Sequence, residues 1–104
     1  MKIQFNTDKN IAGNDRTAEY LSTMITESLE RFSENITRVE VHLSDENSKK
    51  EGGDDKRCLL EARVEGMQPV AVTNHSDTIQ KAVTGALDKL IVILDKTFER
   101  QRNH

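Results

Sequence analysis

Residues 77–102 read DTIQKAVTGALDKLIVILDKTFERQR, and the spacing of their apolar side chains decides the fold. Ile79, Ala82, Val83, Ala86, Leu87, Leu90, Ile91, Leu94 and Phe98 recur every three or four residues. At about 100° per residue this gathers them on one broad face of a helix. Such a helix needs an apolar surface to lie on. On the same wheel Lys81, Lys89, Lys96 and Arg100 fall within an arc of roughly 100°, away from the apolar face. Ser76 or Asp77 is the expected N-cap, with Asp77 and Gln80 spaced as a capping-box variant.

The surface is supplied upstream, where the apolar period changes to two. Lys2 to Asn6 alternates with Ile3 and Phe5 inward. Thr37 to Ser44 alternates with Val39, Val41 and Leu43 on one side and Arg38, Glu40 and His42 on the other. Cys58, Leu60, Ala62 and Val64 alternate with Leu59, Glu61, Arg63 and Glu65. Gly66-Met67 then turns the chain into a fourth strand from Gln68 to about Asn74, which Pro69 marks as an edge or a strand start. A first helix, capped by Asn14 or Asp15, buries Ala18, Leu21, Met24, Ile25, Leu29 and Phe32 and runs to about Asn35. Asn10 to Asn14 reads as a loop, and Asp45 to Arg57, which has no apolar residue, as a solvated, mobile hairpin loop with Gly52-Gly53 at its tip.

The expected fold class is therefore α+β, in the order β-α-β-β-β-α. Strands that alternate need cover on one face only, and each helix has one apolar stripe. A four-stranded mixed sheet with both helices packed on the same face satisfies both. A helix between the first two strands makes these parallel by a right-handed crossover. Residues 1–104 form a single domain, long enough to bury a core without metal or disulfide staples.

Fifteen basic against 18 acidic residues give a net charge of -3, which by itself makes no case for nucleic acid. The distribution says more. Residues 1–57 hold 9 basic and 12 acidic residues, residues 77–104 hold 5 and 4, so the basic end is the C-terminal one. One cysteine, no signal-peptide core and no membrane span place the chain in a reducing cytoplasm, away from membranes.

No set of residues converges on a reaction. His42, His75 and His104 fall on different elements without CxxC or HxxxH spacing, so no metal site is expected. Cys58 lies in an inward strand register, the place of a small apolar filler. With no phosphate-cradling glycine motif and carboxylates on solvent-facing positions, the expectation is a non-enzyme with no cofactor and no small-molecule substrate. The mixed-charge outer sheet face (Lys2, Arg38, Glu40, His42, Glu61, Arg63, Glu65) reads as cross-strand pairing of opposite charges. It carries no aromatic residues on which bases could stack.

The block Asp88-Lys89-Leu90-Ile91-Val92-Ile93-Leu94-Asp95-Lys96 at the end of such a chain resembles the last helix of the ribosome hibernation promoting factor family. This family is also called ribosome-associated inhibitor or sigma-54 modulation proteins. Leu29-Glu30-Arg31-Phe32 and the strand and turn from Ala62 to Gly66 are similar to it as well, and by length the chain resembles the short form. The resemblance implies a fold like that of double-stranded RNA-binding domains. It implies a partner, the small ribosomal subunit, where basic residues of both helices meet ribosomal RNA phosphates in the decoding region and translation is repressed under stress or in stationary phase. Lys89, Lys96 and Arg31 match basic positions of the family. Lys81, Arg100 and Arg102 join the expected RNA-binding set from the stripe itself.

The chain also departs from the family pattern. Val92 replaces a basic residue, and Ile25 and Ser28 stand at positions of the first helix that are often basic. Fewer phosphate partners mean a lower RNA affinity and a shallower salt dependence. The alternative function is a protein-interaction module on the same fold, using the acidic first helix and Val92, without ribosome binding or with self-association.

Overall fold

In a computed structural model, residues 1–7, 15–45 and 55–102 are described. Strand β1 (Lys2–Thr7) leads to helix α1 (Asp15–Ser28) and a short 3-10 turn (Glu30–Phe32). Strands β2 (Ile36–Asp45), β3 (Lys56–Val64) and β4 (Val70–Ser76) follow, then helix α2 (Ile79–Arg102). The sheet order is β1-β2-β3-β4. β1 runs parallel to β2, whereas β2–β3 and β3–β4 are antiparallel. This is the expected mixed sheet.

The alternation aligns across the strands. Phe5 lies opposite Val41, Val41 opposite Leu60, and Leu60 opposite Val72, so one face of the sheet is apolar from edge to edge. Val39, Val41, Leu43, Cys58, Leu60, Ala62 and Val64 are buried beneath Leu21 and Ile25 of α1 and Ala82, Val83, Ala86, Leu87, Leu90 and Leu94 of α2. Both helices thus cover one sheet face and share one core, because each has a single apolar stripe to bury.

Several expected boundaries move, each for a local reason. The α-helical part of α1 stops at Ser28, short of Asn35. Leu29 leaves helical geometry at ψ 12°, and Phe32 N–H then donates to Leu29 O at 2.9 Å, tightening the chain so that Phe32 drops into the core. A periodic apolar pattern does not distinguish such a turn from continued α-helix. Strand β4 starts and ends two residues later than Gln68–Asn74, beginning just after Pro69. Its last pair, Lys56 with Ser76, places Ser76 in the ladder and not at a cap. Thr78 is the cap of α2 instead, its Oγ1 accepting from Lys81 N–H at 3.1 Å.

Most of the expected loops, residues 10–14 and 46–54, lie outside the described residues. The ends assigned to the second loop, Asp45, Lys56 and Arg57, are strand residues, with Asp45 opposite Lys56. Lys56 Nζ lies 3.2 Å from both Asp45 Oδ2 and Asp55 Oδ1, so charge pairing continues the hairpin where the apolar pattern is silent. On the outer face the expected cross-strand pairing of opposite charges is also redrawn. Arg38 sits opposite Arg63 and Glu40 opposite Glu61. Compensation runs along and diagonally between strands, Glu40 Oε2 lying 3.4 Å from Arg38 and 3.7 Å from Arg63.

Two glycines serve specific needs. Gly66, at φ +77°, makes the turn between β3 and β4, which Met67 N–H closes onto Val64 O at 3.1 Å. Gly85 of α2 lets β4 approach: a Cβ there would collide with the Asn74 side chain, whose Nδ2 donates to Ala82 O at 3.2 Å.

Candidate nucleic-acid interface

Periodicity places the cations of α2 on its wheel, but tertiary contacts decide what each flank of that helix faces. On one side Gln80 Nε2 donates to Tyr20 Oη at 3.1 Å and Thr84 Oγ1 donates to Met24 Sδ at 3.9 Å. Asp95 Oδ2 meets Arg31 Nη2 at 2.8 Å. That flank faces α1 and the 3-10 turn. On the other side Asn74 reaches Ala82 O, and Lys89 Nζ donates to Thr73 O at 2.8 Å. That flank faces the β4 edge of the sheet.

The two flanks differ in charge. Lys89, Lys96 and Arg100 stand at i, i+7 and i+11, one strip about 16 Å long on the β4 side at 1.5 Å rise per residue. All three are exposed. Among the described residues none of them has a carboxylate within ion-pair distance. Ile93, 37 % exposed, borders the strip on its core side, and Val92, 52 % exposed, stands on the crest. By the same 100° step Asp95 falls toward α1, Asp88 between it and the crest, and Glu99 on the crest in line with Lys81.

The six expected RNA-binding residues therefore separate. Lys89, Lys96 and Arg100 come together. The bond from Lys89 to Thr73 O orients the ammonium without cancelling its charge, because a carbonyl is neutral and two N–H donors remain. Arg100 Nε turns back toward Lys96 O at 3.5 Å, leaving the rest of its guanidinium outward. Lys81 stands on the crest two turns earlier, 3.4 Å from Asp77 Oδ1, and that ammonium is the first cause holding the Asp77 carboxyl below its usual range. Arg31 lies on the α1 side, facing away from Lys89, and is neutralised by Asp95. Arg102 lies in the last turn of α2, and its side chain is outside the described residues.

Sequence reading missed two features. Asp95 bonds Arg31, 64 positions away, a contact that spacing along its own helix does not show. Ile93 is not on the expected apolar face, and its i+4 spacing from Lys89 sets it at the core-side edge of the basic strip. An open depression of about 280 Å3 where the helices begin is lined by Arg16, Thr17, Tyr20, Leu21, Ile79 and Gln80. It holds no paired acid and base, so it does not have the layout of proton-transfer chemistry. Burial pushes the Cys58 thiol up to about 12, only partly offset by the Arg57 charge, which suits a filler and not a nucleophile. No helix of the described residues is long and apolar enough to cross a membrane.

Known proteins share this arrangement of elements. The N-terminal domain of protein Y from Thermus thermophilus superposes with a TM-score of 0.67 at 19 % identity, covering 92 % of this chain and 94 % of that one. A ribosomal subunit interface protein from Coxiella burnetii superposes at 0.70 and 17 % identity, covering 95 % and 99 %. At such identities the likeness establishes the fold. No individually curated protein matches the sequence significantly. The family described as sigma 54 modulation protein / S30EA ribosomal protein matches residues 5–102, nearly the whole chain. The α+β sheet with two helices on one face is thus the fold of that family, and the chain belongs to it.

Proposed function

We propose that this protein is a non-catalytic, cytoplasmic ribosome-associated factor that docks on the small subunit and represses translation under stress or in stationary phase. The observation that carries the docking geometry is the strip of Lys89, Lys96 and Arg100, three exposed cations on one flank of a rigid helix with no carboxylate in ion-pair distance among the described residues. Ribosomal RNA offers phosphate oxygens on a preformed surface. A row of cations held by a packed helix meets them by charge and shape, without reading base edges. Membership of the S30EA ribosomal protein family supports the partner, as does the resemblance of the fold to a protein named for the ribosomal subunit interface. The decoding region is the expected site, since an occupant there excludes messenger and transfer RNA and needs no chemistry to stop translation.

Sedimentation of stationary-phase lysate tests the proposal. The protein should travel with ribosomes or small subunits at low salt, and Lys89→Glu with Lys96→Glu should leave it at the top of the gradient. Absence of the unaltered protein from all ribosomal fractions would reject ribosome association. A second reading, a protein-interaction module, draws on the exposed Val92 and Ile93. It is rejected by a pull-down that recovers only ribosomal proteins and RNA.

A further inference from the structure

Arg31 is an expected RNA-binding cation that lies outside the basic strip. Arg31 sits at the end of the first helical segment with its guanidinium 4.6 Å over the Phe32 ring, and Phe32 in turn stacks on Phe98 of α2 at 5.6 Å between centroids. Its Nη2 is 2.8 Å from Asp95 Oδ2. The pair is not buried: the two side chains are 59 % and 45 % exposed. An exposed ion pair is weak and opens readily, because water and salt screen it. The Phe32 ring holds the guanidinium at the surface independently of the carboxylate.

We propose that Asp95 sets the affinity of this protein for RNA by occupying Arg31 in the free state, and that on docking an RNA phosphate takes the place of the Asp95 carboxylate. The inference rests on the ribosome reading above and adds a residue to it. A phosphate presents the same paired oxygens to a guanidinium that a carboxylate does, so the exchange keeps the geometry and needs no movement of the helices. The cost is the lost ion pair, together with a carboxylate left beside the phosphate. Asp95 therefore weakens docking twice, and Asp88, about 20° away on the wheel, adds to the repulsion.

The test is a double-variant cycle on the full chain, binding purified small ribosomal subunits over a salt series. Asp95→Asn keeps the size of the side chain and removes its charge. It should tighten binding about fivefold, the upper range for an exposed ion pair. In the Arg31→Ala background the gain from Asp95→Asn should shrink to what the lifted repulsion alone gives. Unchanged affinity in Asp95→Asn, or an equally large gain in the Arg31→Ala background, would overturn the proposal. If no variant binds small subunits, the ribosome reading itself has failed. The same cycle on a mixed-sequence RNA duplex then decides the exchange alone, an Arg31-dependent gain supporting it and no such gain refuting it.

Discussion

Removing two charges from the basic strip gives a prediction that can be worked through. In Lys89→Gln with Lys96→Gln, Arg100 remains the one cation of the three. Each phosphate neutralised contributes about 0.7 to 0.9 to the slope of log K against log salt. Three contacts give a slope of about -2.1 to -2.7, so a fourfold rise in salt weakens binding about 20- to 40-fold. One contact gives about -0.7 to -0.9 and roughly a threefold loss over the same range. Should other cations contribute, both slopes grow, but their difference of about 1.4 to 1.8 stays. The fold should be unaffected, since both side chains are exposed and Thr73 O, released from Lys89, can bond water. Fluorescence titration of small subunits at several salt concentrations reads the slopes, with Lys2→Gln on the distant strand β1 as the control. An unchanged slope in the double variant, or an equal change in the control, would refute the assignment of the α2 flank as the phosphate-facing surface.

Three further outcomes follow from the fold. Gly85→Ala should destabilise by about 1–3 kcal/mol: the roughly 1 kcal/mol gained in helix propensity is outweighed by displacing Asn74 from Ala82 O and by overpacking. A urea midpoint that rises would contradict this. Native Cys58 should resist thiol reagents at pH 8 and react after urea unfolding, because a pKa of about 12 leaves roughly a thousandfold less thiolate than the ordinary value of 9.0; rapid native labelling would count against its burial. Glu40 is held below its ordinary value of 4.5 by a hydrogen bond with Glu61 and by the charges of Arg38 and Arg63. A depressed folded value means stability that is present above about pH 4.5 and lost as pH falls through that lower value. Urea midpoints at pH 5 and pH 3 should therefore differ less in Glu40→Gln than in the unaltered protein; an equal difference would remove Glu40 from the acid response.

The sequence by itself determined the elements and their inward faces. Periods of 2 and 3.6 are local properties, so Val41, Leu60 and Leu90 could be assigned to the core from spacing alone, and the single apolar stripe on each helix required both to share one sheet face. Boundaries shifted where polar contacts replaced apolar ones, as at Asp45 with Lys56 and at the Thr78 cap. Tertiary structure alone decided which flank of α2 meets α1 and which meets β4. A wheel fixes angles between residues of one helix, but the direction of its neighbours depends on contacts such as Arg31 with Asp95 and Lys89 with Thr73. For that reason Arg31 is shielded by a carboxylate of α2 while, among the described residues, Lys89, Lys96 and Arg100 have none within ion-pair distance on the other flank.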